Sequence, residues 1–270
     1  MDYSIEKVLP DDYIKLFWQV FFLDKGRGLN VESHFPWIQN SIENIWCVVL
    51  RDNNKVFGGL VVRPLQFGDG ENHLEIGTLG LVCVHPDYRG CGCAKKLIEL
   101  AINESKSLGY DALTLWTNKW ELYSPHGFLL YDESLFGWVH TDEMLCTDIT
   151  VGETHIETFP GYIGLPAFAI SGKVFLSKGA RVVVVQDTCG EIVVGWSGSI
   201  STIIGILKQQ LPCEWRINAQ AGDALIRALI GRNAVVELNE VQLQMWNVFN
   251  EHLDIQTLAK KTQMGVLERI

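Results

Sequence analysis

The segment "LVCVHPDYRGCGCAKKLIELAI" at residues 81–102 constrains the fold more than any other. An apolar run stops at Pro86, Arg89, Gly90 and Gly92 follow at once, and apolar side chains then recur at helical steps. Ala94, Leu97, Ile98, Ala101, Ile102 and Leu108 line one face, and Gly109 is the stop signal. The spacing predicts a strand that enters a helix through a bend almost free of side chains, a junction typical of α/β folds. A helix's first turn leaves N–H groups unpaired at the positive end of its macrodipole. Glycines let a ligand approach those groups, and Arg89, Lys95 and Lys96 add positive charge. The bend reads as a site for a phosphate or pyrophosphate.

The rest of the chain places this junction in a larger order. "YSIEKVL" reads as a strand, "DDYIKLFWQVFFLDKG" as an amphipathic helix with Asp11 and Asp12 at its start, and "VESHFPWIQNSIEN" as a weaker helix. "IWCVVLRDNNKVFGGLVVRPL" is a hairpin that turns at "DNNK", and "HLEIGTLGLVCVHP" is the long strand before the bend. After the helix come the buried strand "YDALTLWT", a helical turn "NKWELYSP", and the strands "GFLLYD" and "LFGWVH". Residues 141–161 read as a linker. Beyond it come a second hairpin "ARVVVVQDTCGEIVVGW", a helix in "SGSISTIIGILKQQ" with Ser199 or Ser201 at its cap, the strand "EWRINAQ", the helix "GDALIRALIG", the strand "AVVEL", and a helical tail from Asn239. The expected fold is α/β: a mixed, mostly antiparallel twisted sheet with flanking helices over residues 1–145, then a smaller α/β domain over 146–270. Val48, Val49, Leu50 and Asp52 match Val183, Val184, Val185 and Asp187 at an offset of 135. Duplication and convergence explain that match equally well.

Charge and cysteines remove several function classes. Residues 1–150 hold 12 Lys and Arg against 21 Asp and Glu, a balance of −9 within the total of −10. A phosphate-neutralising nucleic-acid face is not expected on such a surface; a generally acidic solvated surface is the commoner explanation of the balance, and attraction of a cationic partner such as an amine is the other. The early acids and Pro10 do not suit a signal peptide, and no apolar run is long enough to span a membrane. The expectation is a cytoplasmic protein. Seven scattered cysteines suit reduced thiols, and Cys91-x-Cys93 without a second ligand pair indicates no metal site.

Two familiar phosphate loops are absent: there is no GxxxxGK[ST], and no GxGxxG followed by an acidic residue. Arg89-x-x-Gly92-x-Ala94 after "VCVHP" instead resembles the acyl-CoA pyrophosphate loop of the GNAT superfamily of N-acyltransferases, [RQ]xxGx[GA]. "NKWELYSPHGF" resembles that family's second signature, an Asn followed by LYxxxGF, and the element order over residues 3 to about 140 is the family's order. The second half carries none of these motifs. "GWSGSIST" at 195–202 joins a strand to a helix but has no basic residue.

The resemblance implies an acyl-CoA co-substrate, acetyl or longer, and no metal. Its pantetheine arm would lie where the strand ending at Val84 and the strand "DALTLWT" splay apart, pairing with free backbone groups of Val82, Cys83 and Val84. The pyrophosphate would rest on Arg89, Gly90, Cys91, Gly92, Cys93 and Ala94. An amine would attack the thioester carbonyl, the oxyanion would take a backbone N–H near Val84, and Tyr123 would protonate the departing thiolate. Asn118 would contact CoA or cap the helical turn. A thiol at a helix N-terminus tends to a lowered pKa, which makes Cys91 and Cys93 candidates for a mixed disulfide with CoA against the simpler reading of chance occupancy.

The base is not defined by pattern. Some family members place a glutamate where Thr78 stands, and Glu75 would face the opposite side of a regular strand unless a bulge shifts it. His73, Glu32, His34 and His126 are further candidates. The expected acceptor is a small-molecule amine, best an amino sugar, free, nucleotide-linked or in an aminoglycoside, walled by the second domain. A protein lysine or N-terminal amine, and a non-catalytic acyl-CoA-binding or interaction module, are the other readings. The protein would act as a monomer or homodimer.

Overall fold

A computed structural model describes residues 2–38, 44–68, 73–142, 153–161 and 163–270. They form two compact units: Met1–Asp132 with Gln242–Gln263 and Glu268–Ile270, and Glu133–Val241 with Met264–Leu267. The expected single cut at 145/146 is therefore replaced by a chain that leaves the first unit at Asp132 and returns to it at Gln242. Of the expected linker, residues 143–152, with Cys146, lie outside the described residues, and His155–Thr158 is a strand rather than linker.

The first unit runs β1 (Asp2–Glu6), α1 (Asp11–Phe21), α2 (Val31–His34), β2 (Trp46–Asp52), β3 (Lys55–Phe67), β4 (Leu74–Val84), α3 (Cys93–Ser107), β5 (Ala112–Trp116), α4 (Trp120–Tyr123) and β6 (Leu129–Leu130). The second runs β7 (Ser134–His140), β8 (His155–Thr158), β9 (Ser171–Ser177), β10 (Ala180–Asp187), β11 (Gly190–Ser197), α5 (Ile200–Gln210), β12 (Glu214–Gln220), α6 (Ala224–Ile230) and β13 (Val235–Glu240). The chain then adds β14 (Gln244–Val248) and α7 (Ile255–Thr262) to the first unit. The expected helical tail from Asn239 is thus first a strand. The expected helix at 31–44 stops at His34, where Pro36 opens a separate 3-10 turn.

Each sheet has seven strands. Their orders are β1-β2-β3-β4-β5-β14-β6 and β8-β9-β10-β11-β12-β7-β13. Each has one parallel pair, β4 with β5 and β11 with β12, bridged by α3 and α5 respectively. Laid side by side, the two orders coincide strand for strand. The place between β5 and β6 is filled by β14, and the matching place between β12 and β13 by β7. This repeat corrects the offset of 135, because β10 corresponds to β3 while Val48–Asp52 lies on β2. The likeness of those two hairpins is convergence laid over a repeated topology.

The site depends on how β4 presents its two faces. Leu79 of β4 and Leu113 and Leu115 of β5 enter one cluster with Leu97, Ile98 and Ala101 of α3. Thr78 and Gly80, and Thr114 and Trp116, alternate onto the opposite face. The β3–β4 register shifts between Gly59 and Val61, so β4 bulges, and Leu81 takes a left-handed φ of 52° within that bulge. β5 pairs with β4 only through Ile76–Thr78 against Ala112–Thr114. Beyond Thr78 the two strands separate.

Candidate active site

The bend expected from sequence forms as a braced loop. Tyr88 stacks on Phe57 with ring centroids 4.2 Å apart, and its hydroxyl donates to Asp52 Oδ2 at 2.9 Å. Gly90 and Gly92 have φ of 79° and 75°, a conformation that costs any other residue energy. A Cβ added at either would meet nothing within 4 Å. The first intrahelical bond of α3 is Lys96 N–H to Gly92 O, so the amides of Cys93, Ala94 and Lys95 have no helical acceptor. The loop is an open cradle at a fifteen-residue helix's positive end. Lys95 pairs with Glu99 at 3.9 Å, and Lys96 lies over the Tyr3 ring, which leaves Arg89 as the cation within the loop itself.

At the strand end, His85 N–H donates to Phe57 O at 2.7 Å. Alternation then turns the N–H and C=O of Val84 away from β3, toward the space that β5 has left. Of the three residues expected to offer free backbone, Cys83 is spent against Gly59, and Arg89 Nε donates to the Val84 carbonyl at 3.1 Å. Val82 lies in the bulge. The Val84 amide remains directed at the opening.

The sequence matches the family model described as Acetyltransferase (GNAT) domain over residues 10–130. The first unit carries a GNAT acetyltransferase domain. The match makes residues 10–130 an acyl-CoA-dependent N-acyltransferase domain. No curated protein matches the chain. Among solved structures, it is similar to a GCN5-related N-acetyltransferase from Kribbella flavida (TM-score 0.65, 13% identity, 92% of this chain and 71% of that one). Eis1 from Mycobacterium abscessus gives a TM-score of 0.62 at 10% identity over 92% of this chain and 73% of that one. A tandem GNAT protein from the clavulanic acid biosynthesis pathway gives 0.50 at 10% identity over 91% and 97%. The repeated strand order of the two units agrees with that tandem architecture.

Within the GNAT domain, Tyr123 ends α4 against Phe128, edge to face at 5.8 Å, and is 7% exposed. Its hydroxyl has no hydrogen-bond partner among the described residues, and burial pushes the phenol up to about 12. Asn118 is exposed. The N-cap of this turn is Lys119, with no side-chain cap bond, and Lys119 N–H donates to Thr117 Oγ1 at 3.0 Å, so Asn118 is not the cap.

The bulge that Glu75 needed is on the wrong side of it. Register is continuous from Gly80 back to Leu74, and the shift lies beyond, at Leu81 and Val82. Glu75 therefore keeps the parity of Gly77 and Leu79 and stays on the α3 face, opposite Thr78; it is not placed to serve as the base. Thr78 Oγ1 donates to Arg63 O at 3.0 Å. His34 is buried, and its Nε2 accepts from Leu29 N–H at 3.0 Å, a structural role. Cys93 faces the core, its Sγ 3.5 Å from Tyr88 O, and burial raises its thiol rather than lowering it. That removes it as a reactive partner for CoA.

Tyr13 carried no motif, yet it touches the site. From α1 its hydroxyl donates to the carbonyl of Leu81 at 2.7 Å, and its ring fills the space over Gly59, where a Cβ would come within 2.5 Å. Desolvation holds its phenol well above the usual range, so it remains a donor. Tyr13 is a positioning residue for the bulge. Tyr13→Phe should cost about 1–3 kcal/mol, because a buried carbonyl loses its donor. Steady-state kinetics should show KM for acetyl-CoA rising about fivefold or more, equivalent to ~1 kcal/mol, with kcat much less affected. An unchanged KM would remove the positioning role.

Proposed function

We propose that the GNAT domain moves an acetyl or longer acyl group from CoA to the primary amine of a cytoplasmic small molecule, best an amino sugar, free, nucleotide-linked or in an aminoglycoside. The observation that carries the acyl-CoA half is the open cradle at Gly90–Ala94 beside strands that part beyond Thr78. Acyl-CoA supplies the activated carbonyl. Arg89 and the first amides of α3 hold its pyrophosphate, with exposed Asn118 available beside it. The Val84 amide and the bulge face its pantetheine arm and the thioester oxygen.

Tyr123 acts on the leaving sulfur. A simple thiol has a pKa of about 8.5, so full transfer from a phenol near 12 is uphill by ~5 kcal/mol. Its contribution is therefore a hydrogen bond to the departing thiolate, with protonation coming late. The amine arrives as ammonium and must lose a proton before attack. The acidic balance of residues 1–150 favours its approach.

Thiol release from acetyl-CoA, followed against amino sugars, aminoglycosides, polyamines and peptides, tests the reading. Turnover on amino sugars at least tenfold above that on peptides is expected. Peptide preference would assign a protein acceptor, and CoA binding without turnover on any amine would assign a binding module.

A further inference from the structure

Where β4 and β5 part, the last residues of the chain lie across the opening on the face that carries Thr78 and Thr114. A side-chain carbon on Gly80 would run into the Cγ1 and main-chain oxygen of Ile270 at 2.5 Å. The guanidinium carbon of Arg269 stands 5.4 Å from the ring of Trp116. Gly80 and Trp116 are each two residues past the final β4–β5 pair, Thr78 with Thr114. The two tail residues thus sit one on each side of the gap.

Three buried donors without a partner gather at this place. Arg269 Nε and Nη2 and Trp116 Nε1 are shielded from solvent, and none has a partner among the described residues. Buried polar groups are nearly always paired, and a cluster of unpaired donors calls for an explanation, of which a bound acceptor is one. Three donors gathered around one guanidinium on one indole call for a group that only accepts. The charges of Asp132 and Glu268 both act on Arg269, yet neither carboxylate accepts from Nε or Nη2, and Asp132 uses Oδ2 for the amides of Leu243 and Gln244 at 2.9 and 3.1 Å. Burial lowers the guanidinium to about 10, still charged at neutral pH, so the missing group should also be anionic.

We propose that Arg269 and Trp116 form a carboxylate site at the mouth between β4 and β5, and that the acceptor carries a carboxylate in addition to its amine. The planar fork of Arg269 matches a carboxylate's two oxygens, and the indole N–H adds a third bond. The inference rests on the N-acyltransferase reading for the role of the ligand, and it narrows the amine to an amino acid or a carboxylated amino sugar. A carboxylate fixed on the face opposite α3 would turn the remainder of the acceptor toward the thioester position beside Val84.

The test is ligand-observed NMR titration of the full chain saturated with CoA, using matched probes: muramic acid against glucosamine, and β-alanine against β-alaninamide. Carboxylated members are expected to bind at least ~10-fold more tightly, in line with a charge-assisted pair, and Arg269→Gln should abolish the preference. Trp116→Phe keeps an aromatic face under the guanidinium, removes one donor, and should reduce the preference several-fold; it serves as the readout if Arg269→Gln fails to fold. Equal binding of matched members, no binding of either carboxylate, an unaltered preference in both variants, or equal binding of inorganic phosphate would each overturn the carboxylate site. The CoA dissociation constant of the unmodified chain, measured alongside, reports separately on the acyl-CoA reading. CoA that fails to bind sinks that reading, whereas CoA that binds without any carboxylate preference sinks only this site.

Discussion

Gly92→Glu is expected to weaken CoA binding at least ~100-fold, and the reason lies in the open space over that glycine. At φ 75° any side chain is strained, by about 1–2 kcal/mol. No protein atom lies within 4 Å of the added Cβ, so nothing holds the new side chain away from the helix end. A glutamate carboxylate can then settle on the amides of Cys93, Ala94 and Lys95, where it both occupies and repels the position of the pyrophosphate. Gly92→Ala carries only the strain and should lose no more than ~10-fold by the same conversion. Gly92→Gln carries strain and bulk without charge and should fall between. Calorimetry with CoA separates the three. If the Glu and Ala variants bind CoA alike, the loop is an ordinary turn and the pyrophosphate is held elsewhere.

The loop was legible in sequence because its chemistry is local. Gly90, Gly92 and the stripe Leu97, Ile98, Ala101 and Ile102 are neighbours in the chain, and each element's start and stop is written beside it. The exchange of β7 and β14 between the sheets is the opposite case. "QMWNV" is five residues long, and what makes it a strand is pairing with Ala112–Trp116, some 130 positions away. Nothing within it states which sheet it joins. The bulge escaped for a related reason. Leu81 carries no glycine signal for its positive φ, and the conformation is held by Tyr13 from α1, 68 positions earlier in the chain. Cys93 shows a local rule overruled by packing, since the helix dipole favours a thiolate but the side chain points inward and burial wins. Trp116 reads in sequence as one more core aromatic. Its importance emerges only when Arg269 arrives from the end of the chain without an acceptor.

Tyr123→Phe should lower kcat by about 10²–10³-fold, the usual effect of losing one donor to developing charge, while KM for acetyl-CoA stays within about threefold. The substitution keeps the ring against Phe128, so packing survives and the effect isolates the hydroxyl. The pH profile distinguishes the hydrogen-bonding role from that of an ordinary surface phenol. Because burial raises Tyr123 to about 12, the wild-type kcat should rise from the acid side as the amine deprotonates and then stay level through pH 10. The same shift has a stability consequence of fixed sign. A phenol whose folded pKa exceeds its unfolded value of about 10 stabilises the fold fully below that pH and loses the contribution as pH climbs through 12. An alkaline fall in kcat near pH 10, absent from the Phe variant, would show a solvent-exposed tyrosine rather than the buried one. A Phe variant with full kcat would transfer the leaving-group role to water.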